Sequence, residues 1–226
     1  MLNKFPPPPT ALCLLWQKFR TAPATFGETE GVRANWHKGR KRYAVWVVRV
    51  QVPEVVQRVE KVGSTLAQWL FPQRPKDLHI TLGIAGFPTT KCNYDDDVDE
   101  ASIRLAALQL SELNLPLPLR FCVHGACAFL SAPFLAVSGH ANTFERLRGI
   151  IDLPGRSLTM NDYVPHVTIG RWNGVHPTKV LAEVLERFVD LPAIAVNAKA
   201  VELVEFATDD PFAALVTRIT VPIAAG

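Results

Sequence analysis

The chain has 226 residues, 48% hydrophobic and 20% charged, with 24 basic and 21 acidic side chains giving a formal net charge of +3. Such a length buries an ample core, and the near balance of charge excludes a histone-like polycation while permitting an anionic ligand. Cys13, Cys92, Cys122 and Cys127 form no C-x-x-C pair, so no zinc knuckle or dithiol redox motif is readable and free thiols in a reducing compartment are expected.

Residues 1–30 read as an N-terminal extension. Pro6 to Pro9 favour an extended polyproline conformation and interrupt any secretory apolar core. No apolar run is long enough to span a bilayer, so a cytoplasmic location without a membrane partner is expected. Ala11 to Phe19 suits a short helix ended by Pro23 and Gly27. The basic turn Trp36-His37-Lys38-Gly39-Arg40-Lys41-Arg42 reads either as a solvated charge cluster or as a lip that attracts a polyanion.

From Tyr43 the chain alternates strands and helices. Tyr43 to Val50 is almost continuously apolar and predicts a central strand. Pro53 opens a helix whose stripe is Val55, Val56, Val59, Val62, Leu66, Trp69 and Leu70, stopped by Pro72 and Pro75. Leu78 to Ala85 predicts a strand. The acidic run Asp95 to Glu100 has alternating carboxylates, but a calcium loop would need Gly where Glu100 stands. A helix N-terminus explains the run better, since Ile103, Ala106, Leu110 and Leu113 follow as a stripe. Leu117 to Leu130 and Phe134 to Ser138 predict strands with a turn at 131–133. Asn142 with Glu145 resembles a capping box before Phe144, Leu147, Ile150 and Ile151, and Pro154-Gly155 ends that helix. Tyr163 to Trp172 predicts another strand. Pro177 opens a helix with Val180, Leu181, Val184, Leu185 and Phe188 inward. Ile194 to Phe206 and Leu215 to Val221 close the chain as strands joined across Asp209-Asp210-Pro211.

Two of these strands carry the same phrase. Leu78-His79-Ile80-Thr81-Leu82-Gly83 is echoed by Pro165-His166-Val167-Thr168-Ile169-Gly170. Side chains alternate along a strand, so each His shares a face with its Thr while the aliphatic residues face the core. The bare pattern is worth little, because His176-Pro177-Thr178 also fits it, on a proline-led helix start. The two strand motifs instead occupy the same station in a repeated order of strand, helix, His-Thr strand, helix, strand. This predicts an α+β, two-lobed, duplicated antiparallel-sheet fold with outer helices and a central cleft. The bilobal domain spans 31–226, with lobe-forming repeats at about 43–130 and 133–222.

The tandem His79-Ile80-Thr81-Leu82 and His166-Val167-Thr168-Ile169 resemble the paired motifs of the 2H phosphoesterase superfamily, the bacterial RNA 2′,3′-cyclic phosphodiesterases and 2′-5′ RNA ligase-like proteins especially. The resemblance runs from about Tyr43 to Val221 and includes Tyr163-Val164-Pro165 before the second motif and Val201-Glu202-Leu203-Val204-Glu205 near the end. It implies a cyclic phosphodiesterase in which His79 and His166 are the general acid and base, with His166 the base and His79 the acid for a 2′,3′-cyclic substrate opened to a 2′-phosphate. Thr81 and Thr168 would donate to the non-bridging phosphate oxygens. Arg171, just beyond the second motif, stands where a basic residue often serves phosphate in this family, and reads equally as an exposed strand-end arginine. Tyr163 would stack on a base or cap the core. The scheme requires no metal or other cofactor, and the expected partners are RNA ends or a cyclic nucleotide phosphate met by a monomer. An RNA-binding module with little turnover, or 2′-5′ ligation in the same cleft, are the alternatives. With no His-x-His, no H-E-x-x-H and no carboxylate in either motif, a two-histidine metalloenzyme is poorly supported, and the missing glycine-rich loop and G-x-S-x-G elbow speak against nucleoside-triphosphate use and serine hydrolysis.

Overall fold

The computed structural model describes residues 10–27, 35–71, 77–113, 119–139, 143–151, 163–210 and 213–222. In chain order its elements are α1 (Thr10–Thr21), β1 (Arg42–Arg49), α2 (Pro53–Thr65), β2 (His79–Pro88), β3 (Asp97–Val98), α3 (Glu100–Glu112), β4 (Leu119–Ala128), β5 (Pro133–Gly139), α4 (Thr143–Ile151), β6 (His166–Thr168), α5 (Thr178–Leu185), β7 (Ile194–Ala198), β8 (Ala200–Ala207) and β9 (Val216–Pro222). The expected roles of Pro6 to Pro9, Pro72, Pro75, Asn142, Pro154-Gly155 and Pro211 lie outside the described residues.

Ala44 to Val48 are buried on both faces of β1. A strand of that kind needs neighbours on both edges, and β1 is the middle of a five-stranded sheet ordered β3-β2-β1-β8-β9. A four-stranded sheet, ordered β6-β5-β4-β7, forms the second lobe. Apart from the short parallel β2–β3 contact, all the pairings are antiparallel. One large apolar core joins the two sheets to the buried stripes of the helices, including Val55, Val59 and Val62 of α2, Ile103 of α3, Leu147 of α4 and Leu181 of α5. Burying one such side chain is worth roughly 1.5–3 kcal/mol, so this shared core holds the lobes together.

Three expectations are corrected. The stretch Ile194 to Phe206 is two strands, not one. β7 pairs with β4 and β8 pairs with β1, so the chain changes sheets at Lys199. The second strand motif is also short. β6 spans three residues because it is a sheet edge with only Phe134, Leu135 and Ala136 opposite, and Pro165 before it has no N–H to give a ladder. Lastly, sheet membership does not follow a division near residue 130. β4 joins its hairpin partner β5 in the second sheet, while β8 and β9 return to the first, so the second lobe is one continuous stretch, 119–198, set inside the first. The β4 ladder is irregular between Val123 and Ala126, and there a Cβ on Gly125 would collide with the Val189 carbonyl.

The acidic run is structural. Asp99 caps α3 by accepting from the Ser102 N–H at 2.7 Å. Arg40 takes Asp96 at 2.5 Å and Asp97 at 2.8 Å while its guanidinium lies 3.4 Å from the Phe87 ring centre. Burial raises the Asp97 carboxyl, but the Arg40 bond and the Asn93 and Tyr94 N–H groups more than offset this and hold it below its usual range. Lys38 sits over Tyr94 and Arg42 pairs with Glu205. Arg40, Lys38 and Arg42 of the basic turn are therefore engaged within the protein, which favours the charge cluster over the polyanion lip.

The described part of the N-terminal extension is packed down. Leu12 and Phe19 of α1 are buried, and the Thr25 N–H and hydroxyl bond to His176 O and Gly174 O, at 2.9 and 3.0 Å. Thr178 donates its hydroxyl to the Ala22 carbonyl.

Candidate active site

Both motifs lie on strands with the predicted alternation. Ile80, Leu82, Val167 and Ile169 are fully buried, whereas His79, Thr81, His166 and Thr168 are half-buried on the other face. β2 and β6 come from different sheets and approach each other, near enough for the charge on His79 to be felt at His166.

The two imidazoles are held alike. His79 Nδ1 lies 2.6 Å from the Asp77 carbonyl and His166 Nδ1 lies 2.7 Å from the Val164 carbonyl, each two residues back in the chain. A carbonyl only accepts, so each Nδ1 carries the proton and each neutral ring presents an Nε2 lone pair. Burial pushes both histidines below their ordinary value of 6.5. For His79 the Asp77 carbonyl opposes that shift, Arg49 adds to it and the Asp77 carboxylate opposes it; for His166 the charge on His79 lowers it further. The charge on one ring disfavours charging the other, so the pair takes up its first proton on the acid side of 6.5 and resists a second. Among the described residues neither the Thr81 nor the Thr168 hydroxyl has a protein partner, which leaves both donors for a ligand.

The surroundings differ. Opposite His79 on β1 stands Arg49, which bonds Asp77 at 2.8 Å and Glu202 of β8 at 3.2 Å. Opposite His166 on β5 stands Ala136, and the His166 ring is flanked by Phe129 at 5.0 Å and Phe134 at 5.2 Å between centroids. Leu12 of α1 packs into the same apolar cluster as Phe134, Ala136 and Cys127.

Tyr163 is placed as a support for the first motif. Its hydroxyl donates to the Thr81 carbonyl at 2.9 Å, and the Arg148 guanidinium lies 4.0 Å from its ring centre. Arg148 donates to the Leu82 carbonyl at 2.6 Å. Arg171 is half-buried just past the second motif, where its carbonyl accepts the Phe71 N–H at 3.0 Å. The structure thus brings His79, Thr81, His166 and Thr168 together, puts Tyr163 behind the β2 backbone, and keeps Arg171 at the end of the second motif. Arg49, Arg148, Phe129 and Phe134 were not expected from the sequence. Arg148 carried a signal, since it falls four after Phe144 and three before Ile151, on the buried stripe of α4.

No family model matches the chain and no curated protein matches it. Solved structures do. Escherichia coli LigT, crystallised with 3′-AMP, matches with a TM-score of 0.59 at 11% identity over 82% of this chain and 99% of LigT. TT0787 of Thermus thermophilus matches at 0.54 and 14% identity over 80% and 97%. A phosphoesterase matches at 0.54 and 11% identity over 81% and 99%. The chain has the LigT-like 2H phosphoesterase fold. Within that fold each neighbour is matched over nearly its whole length by about four-fifths of this chain, so this chain carries segments beyond the shared 2H architecture. LigT has also been crystallised with ATP, phosphate and NADP+. Among the described residues no helix is long and apolar enough to cross a membrane.

Proposed function

We propose that the chain is a metal-independent phosphodiesterase that hydrolyses a 2′,3′-cyclic phosphate of RNA ends or nucleotides to a 2′-phosphate. The observation that carries this reading is the matched pair of imidazoles, each with Nδ1 on a backbone carbonyl and Nε2 open, each with an unengaged Thr hydroxyl two residues on. One neutral ring and one charged ring supply what the reaction needs. His166 Nε2 takes a proton from water, the water oxygen bonds to phosphorus, and the bond from phosphorus to the 3′ oxygen breaks as His79 Nε2 gives that oxygen its proton. Water is thereby added across one ester bond, and the second turnover starts once the proton has passed from His166 back to His79 through solvent. Thr81 and Thr168 hold the non-bridging oxygens as their charge grows, and Arg171, next after the second motif, serves the same phosphate in this reading. LigT bound to phosphate and to 3′-AMP supports an anionic, nucleotide-like ligand for this fold. The free Cys13, Cys92, Cys122 and Cys127 fit the reducing cytoplasm where we place the activity, carried out by a monomer.

Hydrolysis of a 2′,3′-cyclic nucleotide, with EDTA present throughout, is expected to fall by about 10²–10⁴-fold in His79→Ala and in His166→Ala. Full activity in either variant refutes the scheme. Tight, salt-dependent RNA binding with no turnover of any cyclic phosphate would instead mark a binding module, and joining of RNA ends by a 2′-5′ bond would show the same groups working in reverse.

A further inference from the structure

Asp77 has two separate duties. Its carbonyl accepts the His79 Nδ1 proton at 2.6 Å, and its carboxylate takes Arg49 Nη1 at 2.8 Å. Arg49 is itself fixed. Its Nε bonds Glu202 at 3.2 Å, its Nη2 reaches the Thr217 hydroxyl at 3.3 Å, and that hydroxyl donates to Glu202 at 2.8 Å. The polar chain therefore runs across four strands, β9, β8, β1 and β2, and ends at the imidazole. The Arg49 and Glu202 side chains are only 17% and 19% exposed, so that arm of the fork is held where water competes weakly, while the Asp77 side chain, 40% exposed, sits nearer solvent. Antiparallel partners share a face, which puts Arg49, opposite His79, on the side of the sheet that meets the second motif. The second motif has no such device, because Val164 carries His166 and Ala136 stands opposite.

We propose that Arg49 is a positioning residue for the His79 half of the site, acting through Asp77. It fixes the carboxylate of Asp77, and with it the peptide whose carbonyl orients the ring. This rests on the reading of His79 as one of the two proton-transfer groups. The charged groups about the His79 ring are Arg49 on β1, Asp77 ahead of β2, Glu202 on β8 and His166 on β6, with Arg148 of α4 bound to the strand backbone at Leu82.

The test combines kinetics with proton NMR titration of the His79 and His166 rings in Arg49→Gln, Arg49→Lys and Asp77→Asn. Arg49→Gln is expected to lower kcat on a 2′,3′-cyclic nucleotide by about 10- to 100-fold with little change in KM. The His79 titration should move to higher pH in Arg49→Gln, where Asp77 acts unopposed, and to lower pH in Asp77→Asn. Arg49→Lys, which keeps the charge but loses the fork, should hold the titration near wild type while regaining part of kcat. A loss of kcat that follows the thermal midpoint, with neither titration moved, makes Arg49 merely structural and overturns the proposal, as does wild-type kcat in Arg49→Gln. If the wild-type protein hydrolyses no cyclic phosphate, opposite movements of the His79 titration still uphold the positioning role and their absence still refutes it, so the two failures are separable.

Discussion

The two motif strands are alike in their backbone and unlike in their support. His79 and His166 make the same bond, Nδ1 to the carbonyl two residues back, and each is followed by an open threonine. Around that common frame the first is braced by an ionic network through Arg49, Asp77 and Glu202, the second by Phe129 and Phe134 with Leu12 of α1 behind them. The difference teaches that proton geometry is set by the strand itself, which a repeat can deliver twice. The surroundings are free to diverge, and they make the two rings chemically distinct. An ionic brace is adjusted by charge, an aromatic one by volume.

Replacing the threonines tests the alike part. Thr81→Val and Thr168→Val keep shape and remove a donor, and each is expected to lower kcat by about 10²–10³-fold if both hydroxyls meet the developing charge. A tenfold or greater disparity between them would show that one oxygen is held by a single half. The pH profile tests the unlike part. Both imidazoles lie below 6.5 because burial disfavours their charged form. The singly protonated pair, one base and one acid, is then most populated on the acid side of 6.5. A bell-shaped profile of kcat/KM with its maximum below 6.5 is expected, and a maximum above 7 would contradict it. The same burial links pH to folding. The unfolded rings take up protons that the folded ones resist, so the stabilising contribution is complete above the unfolded value and is lost as pH falls through the folded values. The smallest effect concerns the strand support. Tyr163→Phe removes the bond to Thr81 O and should lower stability by about 0.5–1.5 kcal/mol in a denaturant titration, with a modest fall in kcat. An unchanged midpoint would mean that the ring, not the hydroxyl, holds β2.

The motif faces were legible because alternation is a local property. Ile80, Leu82, Val167 and Ile169 announce a buried side, and their polar neighbours must then share the other. The capping of α3 by Asp99 was legible for the same reason, since the acids precede an apolar stripe directly. Sheet membership was not. Nothing between Ile194 and Phe206 looks like a break, and Lys199 changes sheets only because the edges of β4 and β1 lie in different lobes. Nor could a single chain show that Arg49, an ordinary charge at a strand end, joins Asp77 and Glu202 across 28 and 153 residues of sequence.

Arg148 and Tyr163 belong to the continuous stretch that builds the second lobe, yet both bond the backbone of β2 in the first. The segment between α2 and β2 is tied to the same stretch, with Phe71 N–H meeting Arg171 O and Asn173 N–H meeting Trp69 O, both at 3.0 Å. The second lobe is therefore stitched to the first by hydrogen bonds as well as by the shared core, and parting the lobes would break both at once.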